Sequence, residues 1–309
     1  MLSFMKWIRR ERTAGQRHSD SSSREAAPPA ADRYPRISYE QYAFSNPEAV
    51  EAHDCLSRHG FVLFRSVLDT STVARCRALF ERTFGPGQPD SGKSQPRTKA
   101  NENAFLDVLR IPSFRSALRN AIGSDVVLVN EMSLHDSNFG GWHTDTTSPE
   151  TVGRRRFHLR EDFRIFQCGI YLQENSLIYG GGLDVVAGSH QFRDPIAAYI
   201  DWSRSGAGHP FIHEHSAALE NGMNVANLPG DLVIFNLRLF HRATPRFLQS
   251  IDPHRRKFAY FFVAGCDNNI TRAYREWLDQ YADHQGIVRP AEPSDHFVEQ
   301  LQQAEWRMI

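Results

Sequence analysis

The stretch "PGDLVIFNLRLFHRATP", residues 229–245, combines the features that decide the fold class. It opens with Pro-Gly-Asp, a composition typical of tight turns. The apolar run that follows contains β-branched and aromatic residues, which predicts a buried strand. A histidine, His241, stands at the end of this apolar segment. The stretch therefore predicts a turn, a strand and a polar side chain presented at the strand's end.

Comparable segments with Gly, Pro or Asn at their boundaries lie on both sides of this stretch. They are "DVVLVNEMSL" (125–134), "FRIFQCGIYLQEN" (163–175), "GGGLDVVAGSH" (180–190) and "RRKFAYFFVAG" (255–265). Several short strands of this kind predict an all-β barrel or sandwich of about eight strands. The sequence has no internal repeat and no glycine-rich phosphate-binding pattern, so a nucleotide-binding fold has no support.

Helical patterns precede and follow the predicted strands. Residues 46–59 have helical spacing and end at Gly60, and a second helix begins at either Asp69 or Ser71, both of which are good caps. "FRSALRNAIG" (114–123) predicts another helix. We expect these helices to pack on the outside of the β-structure.

The chain divides into three regions by composition. Residues 1–33 are rich in Ser, Ala, Pro and Arg, which predicts a disordered tail. Residues 34–270 form one predicted domain. Residues 271–309 predict two helices packed on the barrel, the second capped by Ser294 or Asp295.

Composition limits the partners of the protein. The 309 residues include 36 basic and 36 acidic side chains, so no overall field attracts nucleic acid or an anionic membrane. No apolar run approaches the ~20 residues that span a bilayer, which argues against stable membrane insertion. The four cysteines are far apart and form no CxxC pair. A reducing, cytoplasmic location fits this pattern best.

A pair of polar residues in "GGWHTDTTSPE" (140–150) suggests a metal site. On a strand, His143 and Asp145 point to the same side because side chains alternate between faces. An isolated His-x-Asp pair occurs often by chance and fits an ordinary strand equally well. His241 supplies a third candidate ligand. Two imidazoles and one carboxylate form the facial triad that holds non-haem Fe(II) and leaves coordination positions open.

The order of these motifs resembles the phytanoyl-CoA dioxygenase family of Fe(II)/2-oxoglutarate oxygenases. The similarity covers residues ~45–265 and includes "WHTD", the glycine-rich segment ending in "GSH", the "GD" turn and the distal histidine. It implies a double-stranded β-helix, or jelly roll, flanked by helices. It also implies oxidative decarboxylation of 2-oxoglutarate to succinate and CO2, coupled to hydroxylation of a small molecule by dioxygen.

The resemblance implies a role for several residues. His143, Asp145 and His241 correspond to the iron ligands. The family's arginine for the distal carboxylate of 2-oxoglutarate corresponds to Arg255 or Arg256, and the longer turn "FLQSIDPHR" before them leaves the choice open. We expect Arg256, because the family's arginine commonly leads a short "RK" strand.

Three further side chains are weaker candidates for contacts with cosubstrate or substrate. Gln167 and Tyr171 share one face of a predicted strand, and Gly169 between them leaves room. The alternative is an ordinary exposed polar face. Asn130 is a candidate of the same kind if its side chain points inward.

The polar loops offer a clue to the substrate. Residues 85–103 form a predicted loop, and the segment after Asp145 is strongly basic. Its arginines are Arg154, Arg155, Arg156, Arg160 and Arg164. They predict recognition of an anionic group on the substrate, and a solvated loop is the alternative.

Other functions share much of this pattern. Desaturation, epoxidation and ring formation use the same iron chemistry as hydroxylation. A halogenase of this family would replace the carboxylate ligand with a small residue, and Asp145 argues against that. A non-catalytic jelly-roll binding module is the alternative from another class, and the intact ligand set disfavours it.

Overall fold

The computed structural model describes residues 37–85, 93–136, 142–145, 160, 162–191, 222–248, 252–281 and 291–309. The predicted tail at 1–33 lies outside these residues. Within them the chain forms a seven-stranded sheet and a three-stranded sheet, with helices around them. This arrangement confirms the predicted jelly roll with flanking helices.

The large sheet has the strand order β1-β2-β8-β5-β10-β4-β3, and the small sheet has the order β7-β6-β9. Every pair is antiparallel except β1 with β2. The strands are β1 Ala43–Phe44, β2 Phe61–Phe64, β3 Lys93–Pro96, β4 Val126–Asp136, β5 Ile165–Tyr171, β6 Leu183–Val185, β7 Met223–Asn224, β8 Leu232–Asn236, β9 His241–Ala243 and β10 Ala259–Cys266.

Seven helices are present in the described part of the chain. They are α1 Tyr39–Tyr42, α2 Glu51–His59, α3 Thr70–Phe84, α4 Glu102–Leu109, α5 Pro112–Ile122, α6 Asn269–Tyr281 and α7 Asp295–Gln303. None of the helices described is both long and apolar enough to cross a membrane.

Helix boundaries follow from local chemistry. Gly60 ends α2 in the left-handed conformation with a φ of 80°. The carboxylate of Asp69 accepts a hydrogen bond from the Thr72 amide at 2.7 Å, so Asp69 caps α3. Ser294 caps α7 in the same way, through the amide of Phe297.

The predicted polar loop at 85–103 contains a strand. β3 pairs with the end of β4, where Gln95 lies opposite Leu134. It forms the edge of the large sheet, and its sequence "KSQP" is polar. An edge strand needs no alternation of apolar residues, which is why the sequence pattern missed it.

The two faces of β10 have different surroundings. One face packs against the helices, and its rings contact aromatic residues of α3, α4 and α5. The contacts join Phe258, Tyr260 and Phe262 to Phe80, Phe105 and Phe114. The opposite face, which includes Phe261, borders a cavity. This alternation decides which side chains before β10 enter the cavity.

Helix α6 covers the inner face of the large sheet at the other end of β10. Its residues Tyr274, Trp277 and Leu278 are buried in a second apolar cluster with Val129 of β4 and Val263 of β10. The Tyr274 hydroxyl donates a hydrogen bond to Glu131 of β4 at 2.8 Å. Helix α6 thereby contributes to the cavity wall.

Candidate metal centre and its cavity

The backbone brings His143 and His241 together although they lie far apart in the sequence. The amide of each donates a hydrogen bond to the carbonyl of the other, both at 2.9 Å. The Asp145 amide donates to the carbonyl of Leu237 at 3.0 Å. The His-x-Asp segment is therefore held against the chain that runs from β8 to β9.

The side chains of the three candidate ligands converge. Their ligand atoms all lie within 4.8 Å of one another. Asp145 Oδ1 is 3.6 Å from His143 Nε2 and 3.7 Å from His241 Nε2. One carboxylate oxygen and two imidazole nitrogens at this spacing fit a single divalent transition-metal ion bound from one side.

Hydrogen bonding sets the orientation of the His241 ring. Its Nδ1 donates to the carbonyl of Leu239 at 2.9 Å, because a carbonyl only accepts. The lone pair of the neutral ring is then on Nε2, the atom nearest Asp145. Burial lowers the pKa of His241 to about 4, so the ring is neutral at physiological pH.

Trp142 holds the His-x-Asp segment in place from outside. Its ring stacks on Phe240 at a centroid distance of 5.4 Å, and the Arg242 guanidinium lies over it at 4.7 Å. Arg242 Nε in turn donates to the carboxylate of Asp184 at 2.9 Å. Phe240 and Arg242, the two neighbours of His241, thus both contact Trp142, the residue that precedes His143.

The triad faces a cavity of about 220 Å³. Its lining combines polar side chains with apolar and aromatic walls, as ligand sites commonly do. The lining residues are Glu131, Ser133, His135, His143, Asp145, Gln167, Tyr171, Leu183, Phe235, Leu237, His241, Ala243, Lys257, Phe261 and Tyr274.

Gln167 and Tyr171 both line this cavity, on the face of β5 that alternation predicts. The Tyr171 hydroxyl is buried and makes no hydrogen bond with any residue the structure describes. Gly169 lies between them. A Cβ there would come within 2.9 Å of the Phe261 ring and 3.1 Å of the Tyr171 ring. The glycine therefore makes room for these two rings.

Asn130 does not line the cavity, contrary to expectation. It has the same parity on β4 as Met132 and Leu134, which are buried in the main core. Its side-chain oxygen accepts a hydrogen bond from Arg97 at 2.6 Å, and its amide donates to the carbonyl of Ala291. Asn130 is a structural residue on the opposite face.

Arg256 is likewise outside the cavity, so its position does not fit the expected contact with 2-oxoglutarate. Its guanidinium pairs with the fully buried Asp136, with Nη2 2.5 Å from Oδ2. It also donates to the carbonyl of Gly85 at 2.8 Å and lies over the Phe258 ring. Arg256 shares the parity of Phe258, and that face packs against the helices.

Arg255 is not a lining residue either. Its side chain is one-third exposed, lies over the Tyr179 ring at 4.5 Å and approaches Glu174 at 3.9 Å. Lys257 enters the cavity instead. Lys257 has the parity of Ala259 and Phe261, so alternation along β10 is the sequence signal that could have identified it.

The basic segment after Asp145 is described only in part. Arg154, Arg155 and Arg156 lie outside the described residues. Arg160 pairs with Asp162 at the surface, and Arg164 donates to the carbonyl of Ile122 at 2.6 Å. Neither of these two is a cavity residue.

Comparison with solved structures found similar folds. HygX from Streptomyces hygroscopicus with nickel and 2-oxoglutarate bound has a TM-score of 0.52 and 17% identity, covering 75% of this chain and 88% of that chain. The iron-bound form of HygX has a TM-score of 0.51 and 15% identity, with the same coverage. A comparison with curated proteins found no match.

The sequence also matches the family model for phytanoyl-CoA dioxygenase (PhyH) over residues 56–246. The match includes both parts of the metal-ligand set, the His-x-Asp pair and His241, and covers more than half of the chain. The chain belongs to the phytanoyl-CoA dioxygenase family of iron- and 2-oxoglutarate-dependent oxygenases.

Proposed function

We propose that this protein is an Fe(II)/2-oxoglutarate-dependent hydroxylase of a small molecule. The proposal rests on the convergence of His143, Asp145 and His241 at the wall of a cavity of about 220 Å³. In the proposed reaction, 2-oxoglutarate and dioxygen are converted to succinate and CO2, and one oxygen atom enters the substrate as a hydroxyl group.

The three ligands fit the metal that this function requires. Two imidazoles and one carboxylate suit Fe(II), and they would hold the ion from one side, which would leave positions for cosubstrate and dioxygen. The bound iron would supply the redox chemistry with dioxygen. The protein holds His241 by its Nδ1 and holds Asp145 by its backbone amide, so the ligand atoms are oriented before the metal binds.

The cavity walls support the same function. Phe235, Leu237 and Phe261 give the space beside the triad apolar walls. Gln167 and Tyr171 provide hydrogen-bonding groups within that space. A few polar groups set in apolar walls are the usual lining of a site that orients a small molecule.

Hydroxylation is favoured over halogenation because Asp145 would take the coordination position that a halide would need at the metal. Desaturation and ring formation remain outcomes of the same chemistry with a different substrate position. The mass of the product separates them, since hydroxylation adds one oxygen atom and desaturation removes two hydrogen atoms.

The test is an assay of succinate formation with Fe(II), 2-oxoglutarate and a panel of small metabolites, in air and under nitrogen. We expect succinate that depends on oxygen and on iron, and that rises with the true substrate. The matched control is Asp145→Ala. Equal succinate from the wild type and this variant would overturn the proposal.

A further inference from the structure

Lys257 is the one lysine or arginine among the described residues that line the cavity. Its side chain is 4% exposed, so its ammonium group lies inside the protein. It precedes β10 by two residues and shares the inward parity of Ala259 and Phe261. The strand pattern therefore carries a positive charge into the space beside the triad.

Tyr171 is the neighbour of Lys257 in this space. Ala259 pairs with Tyr171 across β10 and β5, and Lys257 Nζ lies 5.9 Å from the Tyr171 ring centre. The Tyr171 hydroxyl is buried without a hydrogen-bond partner among the described residues. A buried hydroxyl without a partner is costly, and a ligand atom that accepts its hydrogen bond removes that cost.

The two arginines nearest in sequence are engaged elsewhere. Arg256 is committed to Asp136 and the Gly85 carbonyl, and Arg255 lies over Tyr179 near Glu174. Moving Arg256 into the cavity would leave the fully buried Asp136 carboxylate without this ion pair. Neither arginine substitutes for Lys257 without disrupting these contacts.

We propose that Lys257 and Tyr171 bind the distal carboxylate of 2-oxoglutarate. The inference rests on the proposed function, which places the other end of the cosubstrate at the triad. The Lys257 ammonium supplies a point charge and the Tyr171 hydroxyl supplies a directed hydrogen bond. Together they replace the bidentate fork that an arginine gives to a carboxylate.

The test measures cosubstrate binding without turnover. Calorimetric titrations of the Mn(II)-loaded protein compare 2-oxoglutarate with 2-oxopentanoate, which has the same keto-acid end and no distal carboxylate. The variants are Lys257→Met, which keeps length and removes charge, Lys257→Arg and Tyr171→Phe. Arg255→Ala is the matched control, because it removes a nearby cation outside the cavity.

We expect Lys257→Met to weaken 2-oxoglutarate binding by roughly a hundredfold or more, because a buried charge loses its partner. Tyr171→Phe should weaken it by about tenfold. Binding of 2-oxopentanoate should change little in either variant, and Arg255→Ala should bind both ligands as the wild type does. Lys257→Arg should retain most of the preference for 2-oxoglutarate.

Equal loss of both ligands in Lys257→Met, or unchanged preference for 2-oxoglutarate, would overturn the assignment. Failure of the proposed function gives a different result. If the protein does not use 2-oxoglutarate, the wild type itself would show no binding of 2-oxoglutarate, whatever happens in the variants. Thermal unfolding of each variant shows whether it is folded, and Tyr171→Phe provides a second test if Lys257→Met does not fold.

Discussion

His143 and His241 hydrogen-bond to each other through their backbones in both directions, at 2.9 Å each. This pairing fixes the separation of two imidazole rings, whose centres are 4.4 Å apart, by main-chain geometry. The site is therefore built by strand pairing, and the metal need not assemble it. Substitution of residues that hold this backbone pairing in place should therefore lower metal affinity, as substitution of a ligand does.

Loss of a ligand should abolish metal binding without unfolding the protein. Asp145→Ala leaves two imidazoles, and we expect Mn(II) affinity to fall by more than the ~100-fold typical of an outer-shell change. Equilibrium dialysis with metal analysis measures this. The control is Asp162→Ala, which removes a surface carboxylate paired with Arg160. Full metal occupancy in Asp145→Ala would contradict the ligand assignment.

The clamp around Trp142 should support the metal site from outside. Trp142→Ala removes the stacking on Phe240 and the contact with Arg242, so the His-x-Asp segment is held less firmly. We expect metal affinity to fall by about 10–100-fold. Trp142→Phe keeps a ring and should keep most of the affinity. If both variants bind metal like the wild type, the clamp has no part in positioning His143.

Arg256 should stabilise the fold and leave cosubstrate binding unaffected. Arg256→Ala removes the ion pair between Arg256 and the buried Asp136 carboxylate, and we expect a loss of about 3–5 kcal/mol in the free energy of unfolding. Urea unfolding followed by circular dichroism measures it. Arg255→Ala should cost less than about 1 kcal/mol, since its ion pairs are partly exposed. A stable Arg256→Ala protein that has lost 2-oxoglutarate binding would restore the arginine assignment.

Stability should decrease in mild acid because of His190. Burial lowers the pKa of His190 to about 4 from an ordinary value of 6.5, and its Nε2 faces the carbonyl of Ser57 at 3.1 Å. Between these pH values the unfolded chain binds a proton that the folded chain does not. The contribution of neutral His190 to the free energy of unfolding is therefore complete above pH 6.5. It falls by up to about 3 kcal/mol as the pH drops towards 4.

His190→Gln tests this dependence, since the glutamine amide can still donate to Ser57. We expect a smaller decline in unfolding free energy between pH 6.5 and 4, measured by urea titration at each pH. Other buried histidines contribute as well, so part of the decline should persist. A pH profile identical to that of the wild type would show that His190 titrates normally.

Strand alternation explains how far the sequence could predict the site. It placed Gln167 and Tyr171 on one face of β5, and both line the cavity. It also set the opposite parity of Arg256 and Lys257. What it does not reveal is which face of β10 meets the helices, because Phe258 and Phe261 are equally apolar. That choice depends on contacts with Phe80 and other residues distant in the sequence.

The polar segments were harder to predict for a related reason. β3 has no apolar pattern because it lies at the edge of the sheet, where backbone pairing with β4 does not require apolar side chains. The Asn130 side chain lies on the same face of β4 as Met132. The sequence does not show whether that face meets the core or the cavity, and the structure places it in the core. Backbone pairing and burial by helices are long-range properties, and a local pattern contains little information about them.

We expect Fe(II) and 2-oxoglutarate to bind together at the triad. Anaerobic titration of the Fe(II)-loaded protein with 2-oxoglutarate tests it most directly, because chelation of iron by the keto acid produces a visible charge-transfer absorption. We expect an absorption that saturates at one equivalent in the wild type and is missing in His241→Ala. No absorption in the wild type, or the same absorption in a folded His241→Ala protein, would contradict it.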